Sequence, residues 1–267
     1  MRSHAAAAIV QFVPGPQSTE KSIDRVLVRA GLCSRNQARA AIEQGRVEVD
    51  GAIVRSPDTW IDVERAVVRV DGEVLTTRTR AVWMLHKPVG VVTTRTDHRD
   101  RRTVCDLLPT PLHWLAPVGR LDLETSGLLL FTNDGELARG ILAPGSKLKK
   151  TYEVRCSGQL QDEQLMRFRT GLDIGDGSGT TLPAEAELVA RGSYECTIRL
   201  AIHEGRNRQV RKMVRAVGSG VLALHRSTIG PLELGDFEVG SARALTVEEE
   251  RTLRSAVTAA IAASTGA

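Results

Sequence analysis

Two Asp-Gly pairs, at residues 50–51 and 71–72, constrain the fold of the N-terminal third of this chain most strongly. Each pair stands between short runs of alternating apolar residues, and both residue types tolerate the left-handed backbone that a two-residue hairpin turn requires. The pattern therefore predicts hairpins of antiparallel strands. The predicted strands cover residues 47–49, 53–54, 68–70 and 74–75.

Two helices are predicted before these strands. The first covers residues 22–31, where apolar residues recur at helical spacing between a serine at the start and a glycine at the end. The second runs from Ser34, a candidate cap, to Gly45, a candidate stop, and has Ile42 on its apolar side. Residues 22–75 are thus predicted to form one small module of helices and strands.

Four arginines give this module a basic character: Arg25, Arg35, Arg39 and Arg46. The whole chain carries 36 Lys and Arg against 32 Asp and Glu, a net charge of +4 that permits a polyanionic partner without requiring one. On charge alone, an accessory domain with solvated arginines is the more common arrangement.

The composition bounds the class of protein. With 267 residues and an apolar content of 42%, the chain can bury a sizeable core, and at roughly 150 residues per domain it predicts two domains. The four cysteines form neither a CxxC pair nor a zinc-type cluster, so we expect reduced, buried thiols, a cytoplasmic protein and no metal. No apolar run approaches the roughly 20 residues of a membrane span. Residues 1–21 are predicted to be a disordered tail.

The remainder of the chain, residues 81–267, predicts an α+β domain on a mostly antiparallel sheet, joined to the first module by a linker at 76–80. Thr246 and Glu249 have the spacing of a capping box at the last helix. The predicted strands cover 82–85, 128–132, 152–155, 195–201 and 223–225, and the predicted helices 162–169, 208–217 and 247–263.

The segment GRLDLETSGLLLFTND, residues 119–134, sets two charged side chains ahead of a fully apolar strand. If the segment is extended, Arg120 and Asp122 point to the same side and pair. An opposite charge nearby keeps a carboxylate ionised, and therefore available as a nucleophile or base. A lone RxD is nevertheless more often a structural ion pair. Glu124 is the nearest candidate for the second carboxylate that a glycosidase would need.

Longer motifs favour a catalytic role for Asp122 over a structural ion pair. The segment resembles the signature of pseudouridine synthases of the RsuA/RluB type, in which the aspartate of GRLD is catalytic. The same family shows four further blocks that are found here: HKPVGVVTT at 86–94, Lys150-Thr151-Tyr152, EGRNRQVR at 204–211 and IGPLELG at 229–235. Residues 22–51 resemble the RNA-binding domain named after ribosomal protein S4.

The resemblance implies an isomerase that detaches a uracil from its ribose and rejoins it through carbon. Asp122 would be the catalytic carboxylate, Tyr152 would stack on the flipped base, and Arg211 would hold Asp122 charged and oriented, with Arg120 beside it. The RNA backbone would be contacted by five further cations in addition to the four arginines of the N-terminal module: Lys87, Lys150, Arg206, Arg208 and Lys212.

Substrate and product are isomers, so the resemblance implies no cofactor and no metal. We expect a monomer that acts on ribosomal RNA, with the large subunit favoured because EGRNRQVRKM resembles the large-subunit members more closely. Two alternatives stay open at this point. One is a small-subunit target, and the other is a non-catalytic RNA-binding or ribosome-assembly factor that keeps the same fold.

Overall fold

The computed structural model describes residues 20–30, 33, 35–75, 80–112, 115–143 and 148–265. The chain divides into two compact units, residues 1–80 with 113–115, and residues 81–112 with 116–267. Several predictions lie outside the described residues: the tail at 1–19, the helix stop at Gly31, the cap at Ser34 and most of the linker at 76–79. The exact domain limits, 22–75 and 81–267, stay predictions.

The N-terminal unit packs two helices and a four-stranded antiparallel sheet, ordered β3-β2-β5-β6, around one core. Its elements are β1 (Glu20–Ser22), α1 (Ile23–Arg29), α2 (Arg35–Glu43), β2 (Val47–Val49), β3 (Ala52–Val54), β4 (Trp60–Asp62), β5 (Val68–Val70) and β6 (Glu73–Val74). The core contains Ile23, Leu27, Ala38, Ile42 and Val47. The predicted helices and hairpins are therefore confirmed.

The hairpin turns have the backbone that Asp-Gly predicts. Asp50 and Gly51 have φ angles of 50° and 83°, and Asp71 and Gly72 have 52° and 85°. The antiparallel pair of β1 with β4 was not predicted, and β1 places Glu20 and Lys21 in a strand, so the expected tail ended two residues too late. Both strands have only three residues, too few for a periodic signal.

The C-terminal unit is built on a nine-stranded sheet whose main path is β11-β12-β10-β13-β9-β7-β15, with β14 paired to β13 and β8 to β9. Among its described strand pairs only β9 with β13 is parallel, so the predicted mostly antiparallel α+β class is confirmed. The strands are β7 (Val82–Lys87), β8 (Ala116–Val118), β9 (Thr125–Thr132), β10 (Lys150–Ser157), β11 (Glu185–Arg191), β12 (Glu195–Ile202), β13 (Val221–Ile229), β14 (Leu232–Glu233) and β15 (Ala242–Ala244).

The described residues of this unit also form the helices α3 (Gly135–Leu142), α4 (Asp162–Thr170), α5 (Gln209–Ala216) and α6 (Val247–Thr265). The sequence predicted all but α3. The predicted capping box of α6 is confirmed: the Thr246 amide donates to Glu249 Oε2 at 2.7 Å, and the Glu249 amide donates to Thr246 Oγ1 at 3.1 Å. In the part of the chain that the structure describes, no helix is long and apolar enough to cross a bilayer.

Helix α3 was missed because its two glycines lower its helix propensity. Gly140 is buried, and a Cβ there would collide with the side chain of Val257 on α6. The small residue thus permits close packing of α3 on α6, a gain that local propensity does not contain. Asp134 caps α3 and accepts a hydrogen bond from Arg254 of α6 at 2.9 Å.

The four cysteines are all among the described residues, and none of them forms a disulfide. Cys105, Cys156 and Cys196 are buried as expected, whereas Cys33 is partly exposed.

The parallel contact between β9 and β13 depends on a glycine. Gly127 faces Arg226 across this pair, has a φ of 116°, and lies so close to the Arg226 backbone that a Cβ would overlap it. The other edge of β13 pairs with β10, in a register that sets Arg226 opposite Tyr152. Gly127 therefore sets how closely β9 and β13 approach each other.

We predict that Gly127→Ala lowers the free energy of unfolding by about 3 kcal/mol or more, because a strained φ adds to overpacking against β13. Gly158→Ala is the matched control, since Gly158 also has a positive φ, of 72°, but a Cβ added there would meet no described atom within 4 Å. The control should lose about 1 kcal/mol. Urea unfolding of both variants measures the difference, and equal losses would contradict a close β9–β13 contact.

Candidate active site

A cleft of about 350 Å³ opens on the C-terminal unit and is lined by residues from several separate sequence blocks. These are the end of β8 with the loop to β9, parts of β10 and β13, and the segment that enters α5. Six of the predicted site residues line it: Arg120, Asp122, Lys150, Tyr152, Arg206 and Arg208. Residues of four sequence motifs therefore meet in one place, whereas the HKPVGVVTT block does not line the cleft.

Asp122 lies in a tight turn between β8 and β9. Its carbonyl accepts a hydrogen bond from the Thr125 amide at 3.0 Å, and its neighbour Leu121 is buried. Thr93, from the HKPVGVVTT block, donates its hydroxyl to the Leu121 carbonyl at 2.7 Å, and the Gly90 amide donates to the Leu123 carbonyl at 2.8 Å. This block thus holds the loop that carries the aspartate.

Lys87, from the same block, is completely buried. Its Nζ donates to the carbonyls of Pro88 at 2.9 Å, Asp122 at 3.2 Å and Thr125 at 2.8 Å. Burial lowers the pKa of Lys87 to about 8, although the nearby Asp122 carboxylate acts in the opposite direction. The prediction that Lys87 binds RNA is wrong, because its ammonium is enclosed by the turn that it holds in place.

The predicted pair of Arg120 with Asp122 is also wrong. Arg120 is exposed and forms no described ion pair with Asp122, and the chain turns only after Asp122, at residues 123–124. Among the described residues, the cation that reaches Asp122 is Arg208, whose Nη1 lies 3.8 Å from Oδ2. The Asp122 side chain is 31% exposed, so it remains accessible from the cleft.

Arg211 binds Glu124 rather than Asp122. Its Nη2 donates to the Glu124 carbonyl at 3.0 Å, and its Nη1 lies 3.7 Å from Glu124 Oε2. Arg208 also donates to Glu124 Oε2, at 3.2 Å. Because residues 208 and 211 are three apart at the start of α5, both can reach the same carboxylate. The expected contact of Arg211 with Asp122 is not formed, and Glu124, for which sequence reasoning found no role, holds two arginines.

Arg206 was predicted to follow the RNA backbone, but its donors are used within the protein. Nη1 and Nη2 donate to the carbonyls of Gly179 and Thr180, both at 2.8 Å, and Nε donates to Glu204 Oε2 at 3.1 Å. Its side chain is 18% exposed. Arg206 therefore anchors the loop before β11 instead of offering a free guanidinium. Lys212 is half-buried and does not line the cleft.

Tyr152 and Lys150 both come from β10 and, being two residues apart, share one face of the strand. Tyr152 is paired across the sheet with Arg226 of β13. Arg226 also lines the cleft, and sequence reasoning missed it. Its only signal was position: it stands on a strand just before the IGPLELG block, where alternation puts it on the same face as Leu224.

Three of the four predicted RNA-binding arginines of the N-terminal unit form ion pairs with acids. Arg25 is exposed. The other three form ion pairs: Arg35 with Asp24 at 3.0 Å, Arg39 with Asp58 at 3.5 Å, and Arg46 with Asp71, to which two of its nitrogens donate. The pairs of Arg39 and Arg46 lie at the surface, where a pair contributes about 0–1 kcal/mol, so these two arginines can exchange an acid for a phosphate at little cost. Arg35 differs, because its partner Asp24 is buried. The predicted contact of the four arginines with RNA stays a prediction.

The sequence predicted that the Ser22 side chain caps α1, and the structure shows no such hydrogen bond because Asp24 binds the hydroxyl. Ser22 occupies the cap position, but its hydroxyl donates to Asp24 Oδ1 at 2.6 Å. Burial alone would raise the pKa of Asp24, yet hydrogen bonds from Ser22 and Arg35 outweigh burial and lower it. Asp24 thus stays ionised inside the N-terminal unit.

We predict that the free energy of unfolding depends on pH through the charge of Lys87. Its pKa is about 8 in the folded protein, against about 10.4 in an unfolded chain, so between these values only the unfolded state keeps the proton. The parent should therefore gain stability relative to Lys87→Met as the pH rises from about 7 to about 10, on the order of 2 kcal/mol. Urea unfolding of both proteins at the two pH values measures this difference.

The exposed Lys149, next to β10, supplies the control for that experiment. Lys149→Met should change stability by no more than about 0.5 kcal/mol at either pH. If the difference between the parent and Lys87→Met stayed constant or shrank with rising pH, Lys87 would not be a desolvated cation.

Comparison with known proteins identifies the family. The family model described as RNA pseudouridylate synthase matches residues 81–216, and the S4 domain model matches residues 22–67. Ribosomal large subunit pseudouridine synthase B of Bacillus subtilis is 36% identical over 234 residues, which cover 87% of this chain and 95% of that protein. An uncharacterized RNA pseudouridine synthase of Mycobacterium leprae is 39% identical over 238 residues, 86% of this chain and 91% of that protein.

A solved structure agrees with these relatives. The crystal structure of a pseudouridylate synthase is 32% identical, with a TM-score of 0.63, and the match covers 87% of this chain and 99% of that one. This chain therefore belongs to the RNA pseudouridine synthases, in the RluB type with an N-terminal S4 domain.

Proposed function

We propose that this enzyme isomerises a uridine of large-subunit ribosomal RNA, and that the Asp122 carboxylate starts the reaction. The choice of subunit is supported by the name of the Bacillus subtilis relative. The choice of residue is supported by the cleft: among its described lining residues Asp122 is the one carboxylate, alongside five cationic side chains. The five are Arg120, Lys150, Arg206, Arg208 and Arg226.

This charge distribution suits a polyanionic substrate. The excess positive charge of the cleft attracts phosphates from a distance, and the single acid lies where an extruded nucleotide would enter. Extruding a base from its stack costs a few kcal/mol. Stacking on Tyr152, at about 1–3 kcal/mol for a base on an aromatic ring, offsets much of that cost.

Two first steps are compatible with a carboxylate at this position. Asp122 attacks the anomeric carbon of the ribose, or it removes a proton from the neighbouring sugar carbon. In both routes the bond from the sugar to uracil N1 breaks and its electron pair leaves with the base. The base then turns and its C5 bonds to the anomeric carbon. In the first route this displaces the Asp122 carboxylate from that carbon, and in the second Asp122 returns its proton to the neighbouring sugar carbon. The C5 proton is released and N1 takes one up. Atoms and electrons balance without an oxidant or reductant.

We assign to Arg208 the role that the family resemblance gave to Arg211. Its guanidinium lies 3.8 Å from the Asp122 carboxylate, within ion-pairing distance of the group that starts either route. Arg211 acts indirectly, because it binds Glu124 and thereby stabilises the turn beside Asp122. The N-terminal S4 domain would position the enzyme on structured RNA through its exposed arginines.

Asp122→Asn keeps the shape of the side chain and removes its charge. We expect pseudouridine formation to fall by about 10⁴-fold or more, as when a catalytic group is lost elsewhere, while RNA affinity changes by less than about threefold. Tritium release from C5-labelled uridine in ribosomal RNA measures the first quantity and filter binding the second. Asp236→Asn is the matched control, because Asp236 is exposed and does not line the cleft, and it should retain turnover. Appreciable turnover by Asp122→Asn would move the catalytic role to another group.

The target subunit has its own test. Mapping pseudouridines in ribosomal RNA from cells with and without this gene should show the loss of a site in the large subunit. Loss of a small-subunit site instead would contradict the proposed target while leaving the reaction intact.

Tyr152 provides a second mutational test. Tyr152→Phe keeps the stacking face, whereas Tyr152→Ala removes it. If stacking dominates, the alanine variant should lose about 1–3 kcal/mol of stabilisation of the flipped base, and the phenylalanine variant much less. Single-turnover rates measure both. Equal damage from the two changes would instead implicate the hydroxyl, as a proton-transfer group during release of the C5 hydrogen.

A further inference from the structure

Three side chains lie side by side at the cleft. Lys150 and Tyr152 share one face of β10, and the sheet register places Arg226 of β13 directly across from Tyr152. All three line the cleft that contains Asp122. A base that stacks on Tyr152 would therefore have two cations as its neighbours.

Within the described part of the chain, neither cation has an acidic partner. No described carboxylate forms an ion pair with Lys150 or Arg226, and the Lys150 Nζ donates to the Leu148 carbonyl, at 3.2 Å. Arg226 is 5% exposed, and its Nε donates to the Leu128 carbonyl at 2.9 Å. Its Nη2 is buried and has no hydrogen-bond partner among the described residues. A buried donor in this condition is destabilising until an acceptor arrives.

The two charges also disfavour each other. Burial lowers the pKa of Lys150 to about 8, and the positive charge of Arg226 acts in the same direction. An anionic acceptor would relieve the desolvation, the repulsion and the unpaired donor together. The fold thus maintains a positively charged spot whose counter-charge must come from the ligand.

We propose that Arg226 and Lys150 bind the uracil oxygens on which negative charge develops when the base detaches from the sugar. This inference rests on the proposed function. In either first step, the electron pair of the bond to N1 stays on the ring and spreads to its two carbonyl oxygens. Donors that face this developing charge stabilise the transition state more than the ground state, as an oxyanion hole does.

The burial of Arg226 favours the base over a phosphate as its ligand. Arg226 is nearly inaccessible at 5% exposure, whereas the Arg208 side chain beside Asp122 is 44% exposed. A backbone phosphate stays near the rim because the RNA chain continues on both sides of it. The flipped base is the part of the nucleotide that reaches the face carrying Tyr152.

The test compares two RNA substrates under single-turnover conditions, one with uridine and one with 5-fluorouridine at the target. Fluorine withdraws electrons and stabilises the detached anion by itself, so breaking the bond to N1 should then depend less on the protein's cations. We expect Arg226→Met to slow the loss of uridine by about 10²-fold or more, and to slow the loss of 5-fluorouridine by a clearly smaller factor. RNA affinity should stay within about threefold of the parent.

Two further variants keep the inference falsifiable if Arg226→Met folds poorly. Lys150→Met should show the same substrate-dependent loss, and Arg226→Lys should recover part of the rate because it restores a charge. Lys149→Met is the matched control: Lys149 lies on the exposed side, pairs with Glu185 at 3.3 Å, and should leave both rates unchanged.

Equal slowing of both substrates by Arg226→Met and Lys150→Met would overturn the inference. A fall in RNA affinity would also overturn it if the slope of log affinity against log salt concentration fell by about one, because that change identifies a phosphate contact. Failure of the proposed function is distinguishable from these outcomes, because the parent enzyme would then form no pseudouridine in the uridine RNA.

Discussion

The site depends on the parallel contact between β9 and β13. This contact sets Thr125 opposite Leu224 and Gly127 opposite Arg226, while the other edge of β13 brings Tyr152 of β10 into line. Asp122 precedes β9 by one turn, so the position of its carboxylate relative to Tyr152 follows from this three-strand register. A glycine is required at the closest point because the two backbones leave no room for a side chain.

Charge in this region is divided between groups that fix the structure and groups that stay available. Lys87 is surrounded by carbonyls and holds the aspartate turn from inside. Glu124 takes up Arg208 and Arg211 on the outer side of the turn. Asp122 is left partly exposed with the Arg208 guanidinium 3.8 Å away, so its oxygens remain accessible from the cleft.

The sequence anticipated which blocks form the site better than which atoms meet there. Asp122, Tyr152 and Arg208 were predicted and line one cleft. The partner of Asp122 was assigned wrongly, because Arg208 comes from a distant segment of the chain that no local pattern connects to Asp122. The role of Lys87 was assigned wrongly as well, since a lysine in a family motif looks the same whether it faces RNA or three backbone carbonyls. Arg226 was missed because no charge pattern or motif marks a cation whose importance comes from its burial at the cleft.

Local chemistry explains what the sequence determined by itself: the Asp-Gly turns, the amphipathic helices, the α6 capping box and parts of β7, β9, β10, β12 and β13 follow from interactions within a few residues. The seven-residue strand β11 was not predicted. Family motifs added the reaction class. Tertiary structure alone decided the order of nine strands, the short strands at their edges, and helix α3 with its glycine packed under Val257. It also decided which cations are buried, because burial and pairing between distant segments depend on contacts that no local pattern encodes.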